Sequence, residues 1–227
     1  MTDVSYIHSI RVIEVTLRMR ATRVSISGFS SESGKTHILC ELLRRNPGWE
    51  AIKITRGHYR SCGKNPEACC VSPMLGEKSL VLSDPGQTRV PGKDTGRYWA
   101  AGAGNVHWVI GVDAQIEEGI KNAIERVEGE GVFIEGGSFL KHVVADYSIM
   151  VASPDIKDIK SSAVRLLPKM NALIVNRAEP DASVAELICS RLIGRGATVG
   201  QVPIYFERDL SVVAAEIRHL HQGRQGL

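Results

Sequence analysis

The sequence predicts an α/β fold, in which a mostly parallel, twisted sheet has helices on both faces. From residue 23 onward, short runs rich in β-branched residues alternate with segments of helical periodicity. Such alternation is typical of parallel sheets. A glycine-rich turn also joins the first apolar run to the first helical segment. The 227 residues, of which 43% are hydrophobic and 23% charged, are consistent with a single domain over 1–227.

The apolar runs and the helical patterns place the elements in chain order. Strands are expected at 23–27, 49–55, 106–112, 132–134, 147–152, 172–175 and 198–204. Helices are expected at 37–43, 94–103, 114–127, 156–167, 182–193 and 210–220. Residues 9–17 alternate between apolar and polar side chains, which predicts an additional edge strand.

Between residues 56 and 92 this regularity is lost. Glycine, proline, cysteine and serine interrupt the chain, and one apolar stretch occurs at 79–82. We interpret the segment as a functional excursion from the sheet, because loops of this length seldom lack a role. It contains His58, Cys62, Cys69 and Cys70. These side chains are suited to zinc or an iron–sulfur centre, with reactive thiols or an irregular loop as alternatives.

The turn at 28–36 reads Gly-Phe-Ser-Ser-Glu-Ser-Gly-Lys-Thr. A strand that passes through such a turn into a helix directs several backbone N–H groups at one point, where the helix dipole favours an anion. Lys35 would add a cation near the β- and γ-phosphates of a nucleotide, and the Thr36 hydroxyl would bind Mg²⁺. Five residues separate Gly28 from Gly34, where the usual motif has four. Either the loop has an additional residue or Phe29 replaces the first glycine.

These features predict a three-layer P-loop NTPase fold that binds GTP or ATP with Mg²⁺. The residues expected to contact the nucleotide in this loop are Gly28, Ser31, Glu32, Ser33, Gly34, Lys35, Thr36 and His37.

Other candidate residues lie at the ends of strands, because ligands of such sheets bind beyond the carboxyl ends of the strands. Glu135 ends an apolar strand and precedes two glycines, where a carboxylate can hold Mg²⁺ or orient water. An exposed loop carboxylate is the alternative. Lys53 lies on an otherwise apolar strand, and its expected partner is a phosphate, a substrate carboxylate or Asp94, unless it faces solvent. We predict Lys35, Lys53 and Glu135 as catalytic residues, and Thr36, Glu135 and Asp94 as magnesium ligands.

The pair Asn176-Arg177 follows the strand expected at 172–175. An Asn side chain can both donate to and accept from a purine edge, so we expect both residues to meet the base. A turn capped by the Asn is the alternative. Guanine-selective P-loop proteins use Asn-Lys-x-Asp, whereas Glu179 stands here at the last position. The choice between GTP and ATP is therefore left open.

Composition argues against several classes of partner. The net charge of +3, the scattered basic residues and the aromatic content of 5% argue against a nucleic-acid partner. No apolar run approaches the roughly 20 residues that cross a bilayer, and the N-terminus lacks the pattern of a secretory signal. We therefore expect a cytoplasmic protein without a membrane partner. Cys40 and Cys189 are expected to be reduced, small core residues.

The segment 90–103, Val-Pro-Gly-Lys-Asp-Thr-Gly-Arg-Tyr-Trp-Ala-Ala-Gly-Ala, resembles a Pro-Gly-Lys-Asp-Ser…Arg…Ala-Gly-Ala segment of the MobB family. The order of the other features is also similar: a Gly-Lys-Thr loop, then Ile52-Lys53, then Ile134-Glu135-Gly136. The resemblance covers mainly residues 22–140. It implies a GTP-binding accessory protein of molybdopterin guanine dinucleotide synthesis, with a cofactor-biosynthesis protein as partner. Because many members of this P-loop class bind the nucleotide at a dimer interface, we also expect a homodimer.

Three features depart from this family. Residues Thr55-Arg56-Gly57-His58 replace its His-rich stretch, the loop is one residue longer, and the C-terminal third resembles dethiobiotin synthetase. The loop of that enzyme also reads Gly-x5-Gly-Lys-Thr, with a glutamate at the position of Glu32. The alternatives are therefore an ATP-dependent ligase or kinase, in which Lys53 and Arg97 hold an anionic substrate, or a metal-delivery NTPase that uses the Cys/His excursion.

Overall fold

The structure, a computed structural model, describes residues 21–57, 74–137, 139–156, 158–200 and 202–225. Two predictions, the edge strand at 9–17 and the cluster of His58, Cys62, Cys69 and Cys70, lie outside these residues. None of the helices among the described residues is long and apolar enough to cross a membrane.

Eight strands form one sheet in the order β3-β4-β2-β5-β1-β6-β7-β8. The strands are β1 Thr22–Gly28, β2 Glu50–Arg56, β3 Leu80–Leu82, β4 Val106–Gly111, β5 Gly131–Glu135, β6 Tyr147–Ala152, β7 Ala172–Val175 and β8 Ile204–Phe206. Every pairing is parallel except that between β3 and β4. This confirms the α/β class and the mostly parallel sheet.

The helices are α1 Lys35–Arg45, α2 Pro85–Thr88, α3 Asp94–Ala100, α4 Ile116–Glu125, α5 Ser161–Leu166, α6 Ala182–Ile193 and α7 Leu210–Gln225. Single 3₁₀ turns occur at Phe139–Lys141, Leu167–Lys169 and Glu207–Asp209. Helices α1, α3 and α7 pack on one face of the sheet around a core that includes Val24, Ile26 and Phe133. Two further clusters cover the other face, one beneath α4 and one beneath α5 and α6.

The structure corrects three of the predicted elements. The excursion at 56–92 contains strand β3 and helix α2. The strand predicted at 198–204 begins only at Ile204, because Pro203 has no N–H with which to extend the ladder. The helix predicted at 156–167 begins at Ser161. Ile156 has a φ of 31° and is buried in the core, so its apolar side chain anchors a loop.

A buried polar network lies at the amino ends of β2 and β4. Glu50 accepts hydrogen bonds from the backbone N–H groups of Glu128 and Gly129 at 2.8 and 2.6 Å. Its other oxygen lies 2.7 Å from Nε2 of His107, whose Nδ1 lies 2.8 Å from the Ser83 hydroxyl. Burial alone would raise the pKa of Glu50, but these hydrogen bonds lower it below its usual range. This network ties β2, β4 and the turn before β5 together.

Candidate nucleotide-binding site

Strand β1 lies at the centre of the sheet, between β5 and β6, and the loop at 28–36 leaves its carboxyl end. Helix α1 begins at Lys35, directly after Gly34, whose φ of 91° lies in the left-handed region. A side chain at Gly34 would be strained there. A Cβ on Gly28 would approach the Ser33 hydroxyl to 2.1 Å, so the loop packs tightly against the end of the strand.

Phe29 explains the unusual spacing of the motif. Its N–H still donates to the carbonyl of Val151 on β6 at 3.3 Å, and its side chain is buried in the core. The segment that leaves the sheet is therefore Ser30 to Ser33, which is the length of the usual loop. Of the two possibilities that the sequence left open, the structure favours Phe29 in place of the first glycine.

The Lys35 ammonium lies over this loop. Its Nζ donates to the carbonyls of Ser30 and Ser31 at 2.7 and 3.2 Å and to the Ser33 hydroxyl at 3.3 Å. Burial lowers the pKa of Lys35 below its usual range, although the charge of Glu135 opposes this effect. A partly desolvated ammonium in an anion-binding loop gains strongly from a phosphate partner, because water screens the attraction only weakly there.

Thr36 and Glu135 meet although 99 residues separate them in the chain. The Thr36 hydroxyl donates to Oε2 of Glu135 at 2.9 Å. Since this bond uses the hydroxyl hydrogen, the lone pairs of Thr36 Oγ1 remain available to a cation. The carboxylate is only 3% exposed, at the end of β5. It is therefore not the exposed loop carboxylate that was the alternative interpretation.

Lys53 lies between two carboxylates. Its Nζ is 2.5 Å from Oε1 of Glu135 and 2.7 Å from Oδ2 of Asp94, at the start of α3. Burial would lower the pKa of Lys53, but Glu135 and Asp94 raise it above its usual range. Burial would likewise raise the pKa of Asp94, which Lys53 lowers. Lys53 thus bridges the two acids, and of its three expected partners the structure shows Asp94. Arg97 is exposed on α3.

Tyr98 completes this cluster, although no motif in the sequence identifies it as a site residue. Its hydroxyl donates to Oε2 of Glu135, and the side chain is fully buried. Burial raises the pKa of Tyr98 well above its ordinary value, as does the neighbouring charge of Glu135. The only available signal was its place within the segment 90–103, where it lies one helical turn after Asp94.

The cluster suits a magnesium ion. Mg²⁺ prefers oxygen ligands, and Thr36, Asp94 and Glu135 provide a hydroxyl and two carboxylates within one hydrogen-bonded group. Lys53 offsets one of the two carboxylate charges, and the Lys35 ammonium lies near enough to interact electrostatically with both acids. All three predicted ligands are thus brought together. No group of three or more potential metal ligands of the His, Cys, Asp and Glu type occurs in the described part of the chain.

Asn176 lies against the loop. A Cβ on Gly34 would come within 2.0 Å of Asn176 Nδ2, so the amide rests on the backbone at the start of α1. Arg177 instead pairs with Asp181 at 3.3 Å, and Glu179 pairs with Arg208 at 3.8 Å while remaining 79% exposed. The structure therefore places Asn176 beside the phosphate loop and leaves Glu179 at the surface.

The remaining predicted loop residues differ in their exposure. Ser33 is buried, whereas Ser31 and Glu32 are exposed at the tip of the loop. His37 is in the first turn of α1, and its Nε2 lies 3.3 Å from Glu207, in the 3₁₀ turn after β8.

Comparison with known proteins gives structural relatives only. No protein-family model matches the sequence, and no curated protein matches it significantly. HypB from Helicobacter pylori, in complex with nickel, is similar over 97% of this chain and 95% of its own, with 14% identity and a TM-score of 0.50. LpxK from Aquifex aeolicus, in complex with ATP, covers 90% of this chain and 80% of its own, with 17% identity and a TM-score of 0.43. A LAO/AO transport system kinase covers 97% and 70%, with 10% identity and a TM-score of 0.42.

The sheet, the loop and the similarity to HypB define the class of this chain: it has the fold of the P-loop NTPases. At such low identities the likeness concerns the fold alone. These comparisons do not show membership of the MobB family.

Proposed function

We propose that this protein binds a nucleoside triphosphate with Mg²⁺ at the loop 28–36 and hydrolyses it. The observation that supports this most directly is the hydrogen bond between Thr36 and Glu135. It joins the last residue of the loop motif to a buried carboxylate at the end of the neighbouring strand. A plain turn between a strand and a helix requires no such partner.

Each group of the site has a role in this proposal. The loop amides and Lys35 hold the phosphate chain, and Thr36, Asp94 and Glu135 hold Mg²⁺. The ion, when bound, neutralises charge that develops on the phosphate oxygens. Glu135 accepts hydrogen bonds and can orient the attacking water, while Lys53 and Tyr98 fix the position of that carboxylate. Asn176 is placed to extend from the loop towards the nucleoside.

The finer role follows the resemblance in segment 90–103. Two of its residues, Asp94 and Tyr98, reach the cluster around Glu135, which gives this segment a function within the site. On this basis we propose a MobB-like accessory NTPase of molybdenum cofactor biosynthesis that binds GTP and acts as a cytoplasmic homodimer. Hydrolysis by the isolated protein should be slow, because no arginine finger can be identified in the sequence.

Calorimetric titration with Mg·ATP and Mg·GTP tests the nucleotide site. We expect Lys35→Ala to weaken binding of the preferred nucleotide by at least tenfold, because one desolvated cation is lost. Lys121→Ala is the matched control, since that lysine forms an exposed pair with Glu117 on α4. If Lys35→Ala remains folded and binds the nucleotide as tightly as the control, the loop is wrongly assigned. Preference for GTP supports the accessory role, whereas turnover of ATP only with an organic acid supports a ligase.

A further inference from the structure

A cavity of about 270 Å³ lies beside the loop, at the carboxyl ends of β1, β2 and β5. Its walls include Ser27 and Gly28, the Gly136-Gly137 turn after β5, and the first residues of α5. Lys35 also lines it, so the cavity adjoins the place where the terminal phosphate would lie. Its volume is slightly below the roughly 300–1,000 Å³ of sites for drug-sized ligands, which suits a small ligand.

Ser27 is the most informative residue of this cavity. It lies in β1, is 1% exposed, and its hydroxyl makes no hydrogen bond to any residue that the structure describes. Ser25, two residues earlier on the same strand, donates instead to the hydroxyl of Ser148 at 3.0 Å. A buried hydroxyl without a partner costs free energy. Its position in the cavity wall therefore indicates a ligand that supplies the missing acceptor or donor.

The charge of the cavity indicates the chemistry of that ligand. Besides Lys35, three cationic side chains line it: Arg56, Lys141 and Lys160. Arg56 pairs with the exposed Asp113 at 3.1 Å. Among the described residues, no carboxylate forms an ion pair with Lys141 or Lys160. The loop and Lys35 account for the triphosphate, so the two unpaired lysines are available to another anion.

We infer that this cavity is the subsite of a second ligand, a small molecule that carries a phosphate or carboxylate group and binds beside the terminal phosphate of the nucleotide. Lys141 and Lys160 attract the anionic group, and the Ser27 hydroxyl in the cavity wall donates a hydrogen bond to it. This inference rests on the proposed nucleotide site. It extends that proposal by giving the protein a second, acidic substrate or effector.

The experiment first saturates the protein with Mg²⁺ and the non-hydrolysable imido analogue of ATP or GTP, whichever binds. Inorganic phosphate and succinate are then titrated separately into this complex, which distinguishes a phosphate ligand from a carboxylate ligand. Two double variants are compared: Lys141→Ala/Lys160→Ala, and Lys121→Ala/Arg44→Ala, a control that removes two positive charges from exposed ion pairs outside the cavity. For Lys141→Ala/Lys160→Ala we expect the dissociation constant of the anion to rise by a factor at least ten times larger than that of the nucleotide analogue.

Ser27→Ala provides a second readout that does not depend on net charge. We expect a loss of at least threefold in affinity for the anion without a lower melting temperature, whereas Ser25→Ala lowers the melting temperature. Three results would overturn the inference while leaving the nucleotide site intact. Neither anion binds the complex with the analogue, or the control double variant loses as much affinity for the anion as Lys141→Ala/Lys160→Ala does. The third is that Lys141→Ala/Lys160→Ala loses affinity for the analogue and for the anion to the same extent. If the analogue itself does not bind, the proposed function fails, and the inference with it.

Discussion

Replacing Lys53 with Met tests the electrostatic design of the site. This change preserves most of the volume of the side chain but removes the ammonium group that lies between Glu135 and Asp94. Glu135 is 3% exposed and Lys53 is 17% exposed, so water reaches this pair poorly. The variant leaves a buried carboxylate without its cation, which is among the more costly changes in a protein interior.

The expected magnitude follows from this burial. Removal of one partner of a buried pair costs about 3–5 kcal/mol. We expect the lower end, about 3 kcal/mol, because Thr36 and Tyr98 continue to donate hydrogen bonds to Glu135. For a chain of this size each kcal/mol shifts the melting temperature by about 2–4 °C, so Lys53→Met should melt roughly 6–12 °C below the wild type. The matched change Lys121→Met, at an exposed pair, should cost about 0.5 kcal/mol or less.

The assay is calorimetric or circular-dichroism melting of the wild type, both single variants and the double variant Lys53→Met/Glu135→Gln. The double variant should recover much of the loss, because the carboxylate that lacks a partner is then neutral. A deficit no larger than that of Lys121→Met would refute the assignment of Lys53 as the counter-charge of Glu135.

Two further predictions concern the loop 28–36 and the polar network around Glu50. Gly34→Ala should destabilise the protein more than Gly92→Ala in melting experiments and should weaken nucleotide binding. Both glycines have positive φ, but only at Gly34 would the Cβ meet Asn176, whereas the space at Gly92 is open; equal losses would show that Asn176 does not rest on the loop. The second is that the melting temperature of the wild type should fall between pH 5 and pH 3 more steeply than that of Glu50→Gln. The folded-state pKa of Glu50 is lowered, so its contribution is present above the unfolded-state pKa and lost as the pH falls through the folded-state value; parallel curves for the two proteins would contradict this.

Local patterns were sufficient for most of the fold. The β-branched runs and the amphipathic segments identified β1, β2 and β4 to β7, because a long enough stretch of one periodicity leaves few alternatives. They were insufficient within 56–92. The apolar stretch there is short, and β3 is held by antiparallel pairing with β4, a contact between residues that are distant in the chain. The strand predicted at 198–204 and the helix predicted at 156–167 both began too early in the chain. Local hydrophobicity does not distinguish a buried loop residue, such as Ile156, from a residue of a strand or helix.

The Gly-Lys-Thr turn between a strand and a helix was by itself enough to predict a phosphate-binding loop, since its chemistry depends on residues adjacent in the chain. The neighbours of that loop could not be read in the same way. Lys53 reaches Glu135 because the sheet places β2 beside β5. Asp94 and Tyr98 reach the same cluster because α3 packs against β2 and α1. The Ser27 hydroxyl and the lysines of the adjoining cavity likewise could be identified only from the tertiary structure, because burial and hydrogen-bond partners depend on packing.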